Sequence, residues 1–313
     1  MTDIALMFPG QGSQYVGMGK EFLEAGGEGA ALMEMAEAVS GFPLRRLCLE
    51  GPMEELTRTM HLQPALTVMN LICWQALQRA GIRPKMVCGH SLGEYSALCA
   101  AGVLSPRDAL SLVTERGRLM EREWGSDPGG MSAILGLTLA EVNEVLAGLT
   151  GVGHITAANH NTETQIVVSG SVDALEAAAA AVAERGGKAI RLKVAGANHS
   201  PLLAGAVPDF AAAMAAVQFH SPAFSLLFNV TAAEETDPDA IRQIMARQLV
   251  SPVRWLDIVR EMQARRIRIF IEVGPKTVLS GLLKKILPRD YDYRCFQVDT
   301  PRSLADCLAA LSQ

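Results

Sequence analysis

Met86-Val87-Cys88-Gly89-His90-Ser91-Leu92-Gly93 is the stretch that decides the fold. Its first three apolar residues predict a short strand and Leu92 to Ala101 a helix, so the serine of Gly89-x-Ser91-x-Gly93 falls on a strand-to-helix turn. A turn that tight needs small residues on both sides, because the serine must take a strained conformation with its hydroxyl exposed at a helix N-terminus. The free N–H groups and the helix dipole there favour developing negative charge, which suits a serine nucleophile. A glycine-flanked N-cap serine with no catalytic part is the bland alternative, and the strand before it and the helix after it count against that reading.

Working outward, short apolar runs alternate with long helical patterns, the sequence form of an α/β fold with a mostly parallel sheet. Strands are predicted at Ile4 to Phe8, Met86 to Cys88, Leu226 to Val230 and Ile267 to Val273, each followed by turn-forming or small polar residues. Residues 129–194 read differently. Met131 to Leu137 is a strand, Leu139 to Leu149 a helix, Ile155 to Ala158 and Gln165 to Ser169 two strands, Ser171 to Glu184 an alanine-rich helix and Lys188 to Val194 a last strand. That βαββαβ order is ferredoxin-like. It predicts a small subdomain at 128–195, entered through Ser126, Asp127, Pro128, Gly129 and Gly130, inserted into a larger domain made of 1–127 and 196–313.

The 313 residues are 49% hydrophobic and 19% charged, which excludes disorder and fibrous repeats. A net charge of −5 and an aromatic content of 5% leave no basic field and few stacking platforms, so nucleic acid is not an expected partner. Six dispersed cysteines (Cys48, Cys73, Cys88, Cys99, Cys295, Cys307) show neither CxxC nor CxxH spacing, so reduced, buried thiols are expected and no metal site. The first apolar run, Ile4 to Phe8, is too short for a signal segment or a membrane span, and the expected place of action is the cytoplasm.

A serine needs a base. Of the six histidines, His61, His154 and His220 lack loop or motif context, and His90, next to Ser91 in sequence, should point away from it. His160 lies between Asn159 and Asn161. His199 follows a predicted strand through Ala195-Gly196-Ala197-Asn198 and is the favoured base. On the helix from Arg107 to Glu123, Ala109, Leu112, Val113, Leu119 and Met120 form an apolar stripe with Arg116 in its middle. An inward arginine must be paired, either with an internal carboxylate or with a bound anion, and a serine nucleophile in the same fold favours a carboxylate-bearing acyl substrate.

Further motifs carry a resemblance: Phe8-Pro9-Gly10-Gln11-Gly12-Ser13-Gln14, Gln63-Pro64-Ala65-Leu66, Gly89-His90-Ser91-Leu92-Gly93-Glu94, Arg116-Gly117, Asn159 and Asn161, His199-Ser200, Arg247-Gln248-Leu249, Pro252-Val253-Arg254-Trp255 and Glu272-Val273-Gly274-Pro275. In that order, nearly end to end, the chain resembles the malonyl-CoA:acyl carrier protein transacylases, acyltransferases of type II fatty-acid and polyketide synthesis. The resemblance implies a hydrolase-like large domain, a ferredoxin-like insertion and an active site in the cleft between them. It implies that Ser91 is acylated by malonyl-CoA, that His199 is the base, and that the backbone carbonyl of Gln248 orients the histidine. It further implies backbone N–H groups of Gln11 and Leu92 as the oxyanion hole and Arg116 as the malonyl carboxylate ligand. Asn159, Asn161 and Asn198 would also contact substrate. The acyl group would pass to the phosphopantetheine thiol of acyl carrier protein by a ping-pong route with no metal or redox cofactor.

One position departs. The residue before the histidine is commonly phenylalanine in malonyl-selective members and serine in branched-chain ones; here it is Asn198, which leaves room for an α-substituted or longer acyl group. Other readings are a hydrolase of the same serine class, the malonyl-transferring subunit of a malonate decarboxylase system and a catalytically idle binding module. Docking of an acidic carrier protein on a net acidic chain calls for a local basic patch, with Arg191 and Lys193, Arg265 and Arg266, or Lys284 and Lys285 as candidates.

Overall fold

The computed structural model describes residues 3–125 and 129–312. Among the described residues nine strands divide into two sheets: β1 (Ile4–Phe8), β2 (Met86–Gly89), β3 (Gly130–Leu135), β4 (Ile155–Thr162), β5 (Gln165–Gly170), β6 (Lys188–Arg191), β7 (Ser225–Leu227), β8 (Ile269–Val273) and β9 (Arg294–Val298). The larger sheet runs β7-β2-β1-β8-β9 with every pairing parallel. Its central strand, Ile-Ala-Leu-Met-Phe, is buried throughout, as a parallel strand covered on both faces must be. Alternate side chains feed two cores. Leu6 and Phe8 pack with the helix side that includes Leu66, Leu112 and Phe210, while Ala5 and Met7 pack with Trp255, Val259 and Phe270. Each fully buried large side chain contributes roughly 1.5–3 kcal/mol.

The second sheet, β4-β5-β3-β6, is antiparallel at every pairing. The helix Leu139–Ala147 lies between β3 and β4 and the helix Val172–Glu184 between β5 and β6, so the order βαββαβ and the ferredoxin-like strand arrangement are both present. The expected entry at Ser126, Asp127 and Pro128, and with it the boundary at 127, lies outside the described residues.

Several boundaries differ from expectation, each for a local reason. β4 continues past Ala158 to Thr162 because two register shifts, at Ala157/Asn159 and His160/Thr162, break the alternation a regular strand would show. β7 stops at Leu227 because the Asn229 backbone N–H bonds the Glu94 carboxylate and not a neighbouring strand. β6 ends at Arg191, after which only Leu192 N–H still reaches the Met131 carbonyl. β9, an edge strand with mostly half-exposed side chains, carries too weak an alternation to be predicted. Among the described residues no helix is long and apolar enough to cross a membrane, and no group of three or more metal-ligating side chains is assembled.

Candidate active site

The elbow is built from backbone contacts that leave no space for side chains at its flanks. A Cβ on Gly89 would lie 2.1 Å from the Gly93 carbonyl carbon, and one on Gly93 would lie 2.0 Å from the Phe8 carbonyl oxygen. Between them Ser91 is held at φ 50°, a left-handed conformation that costs on the order of 1 kcal/mol for a residue with a Cβ. Two side chains hold it there. Asn229 Oδ1 accepts the Ser91 N–H at 2.6 Å, and Gln248 Nε2 donates to the Ser91 carbonyl at 3.0 Å.

Ser91 Oγ lies 2.6 Å from His199 Nε2. His199 is itself at φ 53° and only 3% exposed, and its Nδ1–H donates to the carbonyls of Gln248 and Ser251, each at 3.0 Å. The ring is therefore oriented by two backbone oxygens, and no carboxylate occupies that place. Burial pushes the imidazole pKa down to about 3, with the nearby Arg116 guanidinium pushing the same way and the carbonyl bonds opposing. The histidine is neutral at neutral pH and free to accept a proton on Nε2.

The cavity over this pair receives residues from both sheets. Gln11, Ser91 and Leu92 come from loops at the carboxyl ends of β1 and β2, Asn159 and Asn161 from the bulged part of β4, and Asn198 and His199 from the loop after β6. Leu279 and Leu282 of the helix Val278–Ile286 close the apolar side. Among the described residues the N–H groups of Gln11 and Leu92 donate to no other group, so both are available to an oxyanion. Of the residues expected to act on or bind the acyl group, all line this cavity except Gln248, which stands behind the histidine it orients. His90 also lines the cavity, but its Nε2 is 2.8 Å from Asn161 Oδ1 and its ring leans on Trp255, away from the serine hydroxyl. His160 lies on the same strand without reaching Ser91, its pKa lowered by partial burial.

Arg116 projects from the helix Pro106–Trp124 into this cavity and is 2% exposed. Among the described residues it forms no ion pair; Nη1 faces the Met120 thioether at 3.2 Å, the guanidinium carbon is 5.9 Å from the Tyr95 ring centroid, and Nε has no partner. A buried fork of donors with vacant valences, opening beside a serine, is suited to a carboxylate from outside the chain.

Two residues were not legible as site residues. Glu94 and Asn229, both fully buried, sit directly behind the elbow. A lone carboxylate heading the mostly apolar run Tyr95 to Ala100, directly after the elbow motif, was the available sign of the first; nothing local marks the second.

The fold is that of an acyl transferase domain, and that family matches residues 6–294. The chain belongs to the acyl transferase domain family and is an acyltransferase. It is similar to a malonyl CoA-acyl carrier protein transacylase of Bacillus subtilis (strain 168), 38% identical over 288 residues and covering 91% of each chain. The solved malonyl-CoA:acyl carrier protein transacylase of Xanthomonas oryzae pv. oryzae superposes with a TM-score of 0.94 at 38% identity over 99% of each chain. A malonyl-transacylase solved in complex with its type II polyketide acyl-carrier protein gives a TM-score of 0.94 at 33% identity over 99% of this chain and 100% of that one.

Proposed function

We propose that this acyltransferase moves a malonyl group from CoA to the phosphopantetheine thiol of acyl carrier protein through a covalent intermediate on Ser91. The carrying observation is one cavity that holds the Ser91–His199 contact of 2.6 Å beside an unpaired, buried Arg116. The names of the similar transacylases, and the carrier-protein complex of one structural neighbour, support the choice of donor and acceptor.

In this reading Ser91 Oγ attacks the thioester carbonyl while His199 Nε2 takes the hydroxyl proton. The tetrahedral oxyanion points at the N–H groups of Gln11 and Leu92, and its collapse breaks the carbon–sulfur bond. The departing CoA thiolate receives the proton from His199. The pantetheine thiol then gives its proton to His199, attacks the Ser91 ester and leaves as the malonyl thioester, returning the proton to Oγ. Burial is the main cause of the depressed His199 pKa and the Arg116 charge adds to it; a malonyl carboxylate paired with Arg116 offsets that added part, so substrate binding makes the base stronger. Every step is a proton or acyl transfer and calls for no metal or redox cofactor.

The reading takes in α-substituted or longer carboxylated acyl groups. Asn198 forms part of the cavity wall, and its Oδ1 is buried without a partner. It also takes residues 1–127 with 196–313 as the catalytic domain and 128–195 as a subdomain that supplies Asn159 and Asn161. The cytoplasm is its setting, where six free cysteines stay reduced. The experiment is transfer from radiolabelled malonyl-CoA with and without holo carrier protein. Label accumulating on the carrier supports transfer; steady release of malonate at a rate indifferent to carrier contradicts it and favours the hydrolase reading.

A further inference from the structure

We propose that Glu94 is a positioning residue for acyl transfer: its two carboxylate oxygens fix Asn229 and Gln248, the two side chains that clamp the strained backbone of Ser91. The inference rests on the proposed role of the Ser91–His199 pair. Glu94 Oε1 accepts the Asn229 backbone N–H at 2.6 Å, and Oε2 accepts a short hydrogen bond from Gln248 Nε2. Each of those partners has a second contact on the elbow. Asn229 bridges it, accepting from Ser91 N–H and donating through Nδ2 to the Gly89 carbonyl at 2.6 Å, while Gln248 Nε2 also donates to the Ser91 carbonyl.

Gln248 reaches the histidine as well, since its backbone carbonyl accepts from His199 Nδ1. One carboxylate thus lies one bond away from the groups that set the nucleophile's backbone and the base's ring. The three segments it joins, the elbow, the chain after β7 and the turn Gln248–Val250, are far apart in sequence, and no other described side chain bonds both Asn229 and Gln248. A carboxylate is suited to this task because both partners present N–H donors. An amide at position 94 could accept from only one of them, and would set its own NH2 against the other. Glu94 is fully buried and does not line the cavity, so it cannot be read as a substrate ligand. Its pKa is raised to about 7 by burial, opposed by these two bonds and by Arg116, which marks a carboxylate kept in the interior at an energetic cost.

The test uses the full chain carrying Glu94→Gln, with three readouts: single-turnover acylation by malonyl-CoA, the same by acetyl-CoA, and labelling of Ser91 by a small neutral fluorophosphonate, mapped by peptide mass. We expect all three rates to fall together by about 10-fold or more, with the KM for malonyl-CoA within about twofold of the parent. Gln248→Ala, which leaves the backbone carbonyl in place, should show the same fall, and the double variant should lose no more than the worse single one. Unchanged rates with a lower unfolding midpoint would reduce Glu94 to a packing residue and overturn the proposal. A defect confined to the KM for malonyl-CoA would overturn it in favour of a counter-ion for Arg116, and additive losses in the double variant would also overturn it. If Glu94→Gln yields no folded protein, Gln248→Ala decides alone, and parental kinetics there count against the proposal. Failure of the underlying reading looks different: Ser91→Ala would still become acylated, while the fluorophosphonate arm would continue to report on Glu94 and Ser91.

Discussion

Arg116 and His199 are two buried basic side chains that meet the cost of burial in opposite ways. The guanidinium keeps its charge because its proton is not released at any ordinary pH, so its vacant donors favour an anion. Arg116→Ala should therefore lower malonyl transfer by about 10-fold to 100-fold, the scale of a lost charge-assisted bidentate contact, and leave acetyl transfer nearly intact. Arg116→Lys should restore only part. Equal losses for both acyl groups together with a lowered unfolding midpoint would mean that Arg116 is structural. His199 instead gives up its charge. Its pKa is about 3 when folded against 6.5 for an unperturbed imidazole, so between those values the unfolded chain binds a proton that the folded chain does not. Its contribution to stability is whole above about pH 6.5 and is lost as the pH falls toward 3. Glu94, raised to about 7 from 4.5, acts in the opposite sense, its contribution falling away as the pH rises through that window. Urea unfolding at a series of pH values should show a shallower acid-side loss for His199→Ala than for the parent; an identical slope would refute the depressed value. Ser91, His199 and Arg116 were legible because each breaks a local pattern: an elbow, a flexible loop past a strand end, a charge on an apolar stripe. Glu94 was not, because what marks it is a set of partners 135 and 154 residues away.

At the scale of elements, the elbow depends on backbone approach and the helix Val278–Ile286 does not. Gly93→Ala would drive a methyl group into the Phe8 carbonyl, and no flexible side chain is there to yield. It should cost about 1–3 kcal/mol and move Ser91 relative to Gln11 and His199, with acylation reduced more than the unfolding midpoint alone accounts for. A methyl group on Gly281, in the cavity-lining helix, would meet nothing within 4 Å, and the residue has no positive φ, so Gly281→Ala should raise stability by about 0.5–1 kcal/mol without loss of activity. Reversal of the two outcomes in calorimetry would show that the elbow is not the constrained element. The elbow strand and helix were legible because a single motif contains both periodicities. The bulged end of β4 was not, since two register shifts erase the alternation that would announce a strand carrying Asn159 and Asn161.

Over the whole molecule, the cavity-lining end of β4 bridges, at Asn159 and Val253, to a segment that belongs to neither sheet. Val253 N–H bonds the Ala158 carbonyl at 2.8 Å and the Val253 carbonyl accepts from His160 N–H at 2.9 Å, tying the edge of β4 to the chain that leads into Trp255. The alternation of apolar runs and helices was enough to assign the parallel sheet, and the βαββαβ order the second one, whereas this joint depends on contacts remote in sequence. Charge at this scale bears on the carrier protein. Arg265 is held by Glu234 and Glu261, which makes it a poor docking residue, whereas Lys284 and Lys285 follow Leu282 on the helix that lines the cavity. Charge reversal at Lys284 should raise the KM for holo carrier protein severalfold with a smaller effect on Ser91 acylation, and reversal at Arg265 should not; steady-state kinetics with varied carrier would show the contrary if docking lies elsewhere. All of this depends on one covalent event. Intact-protein mass spectrometry after brief incubation with malonyl-CoA should show one malonyl adduct on the parent chain and none on Ser91→Ala. An adduct of equal stoichiometry on Ser91→Ala, or no adduct on the parent while label still reaches the carrier protein, would contradict the account.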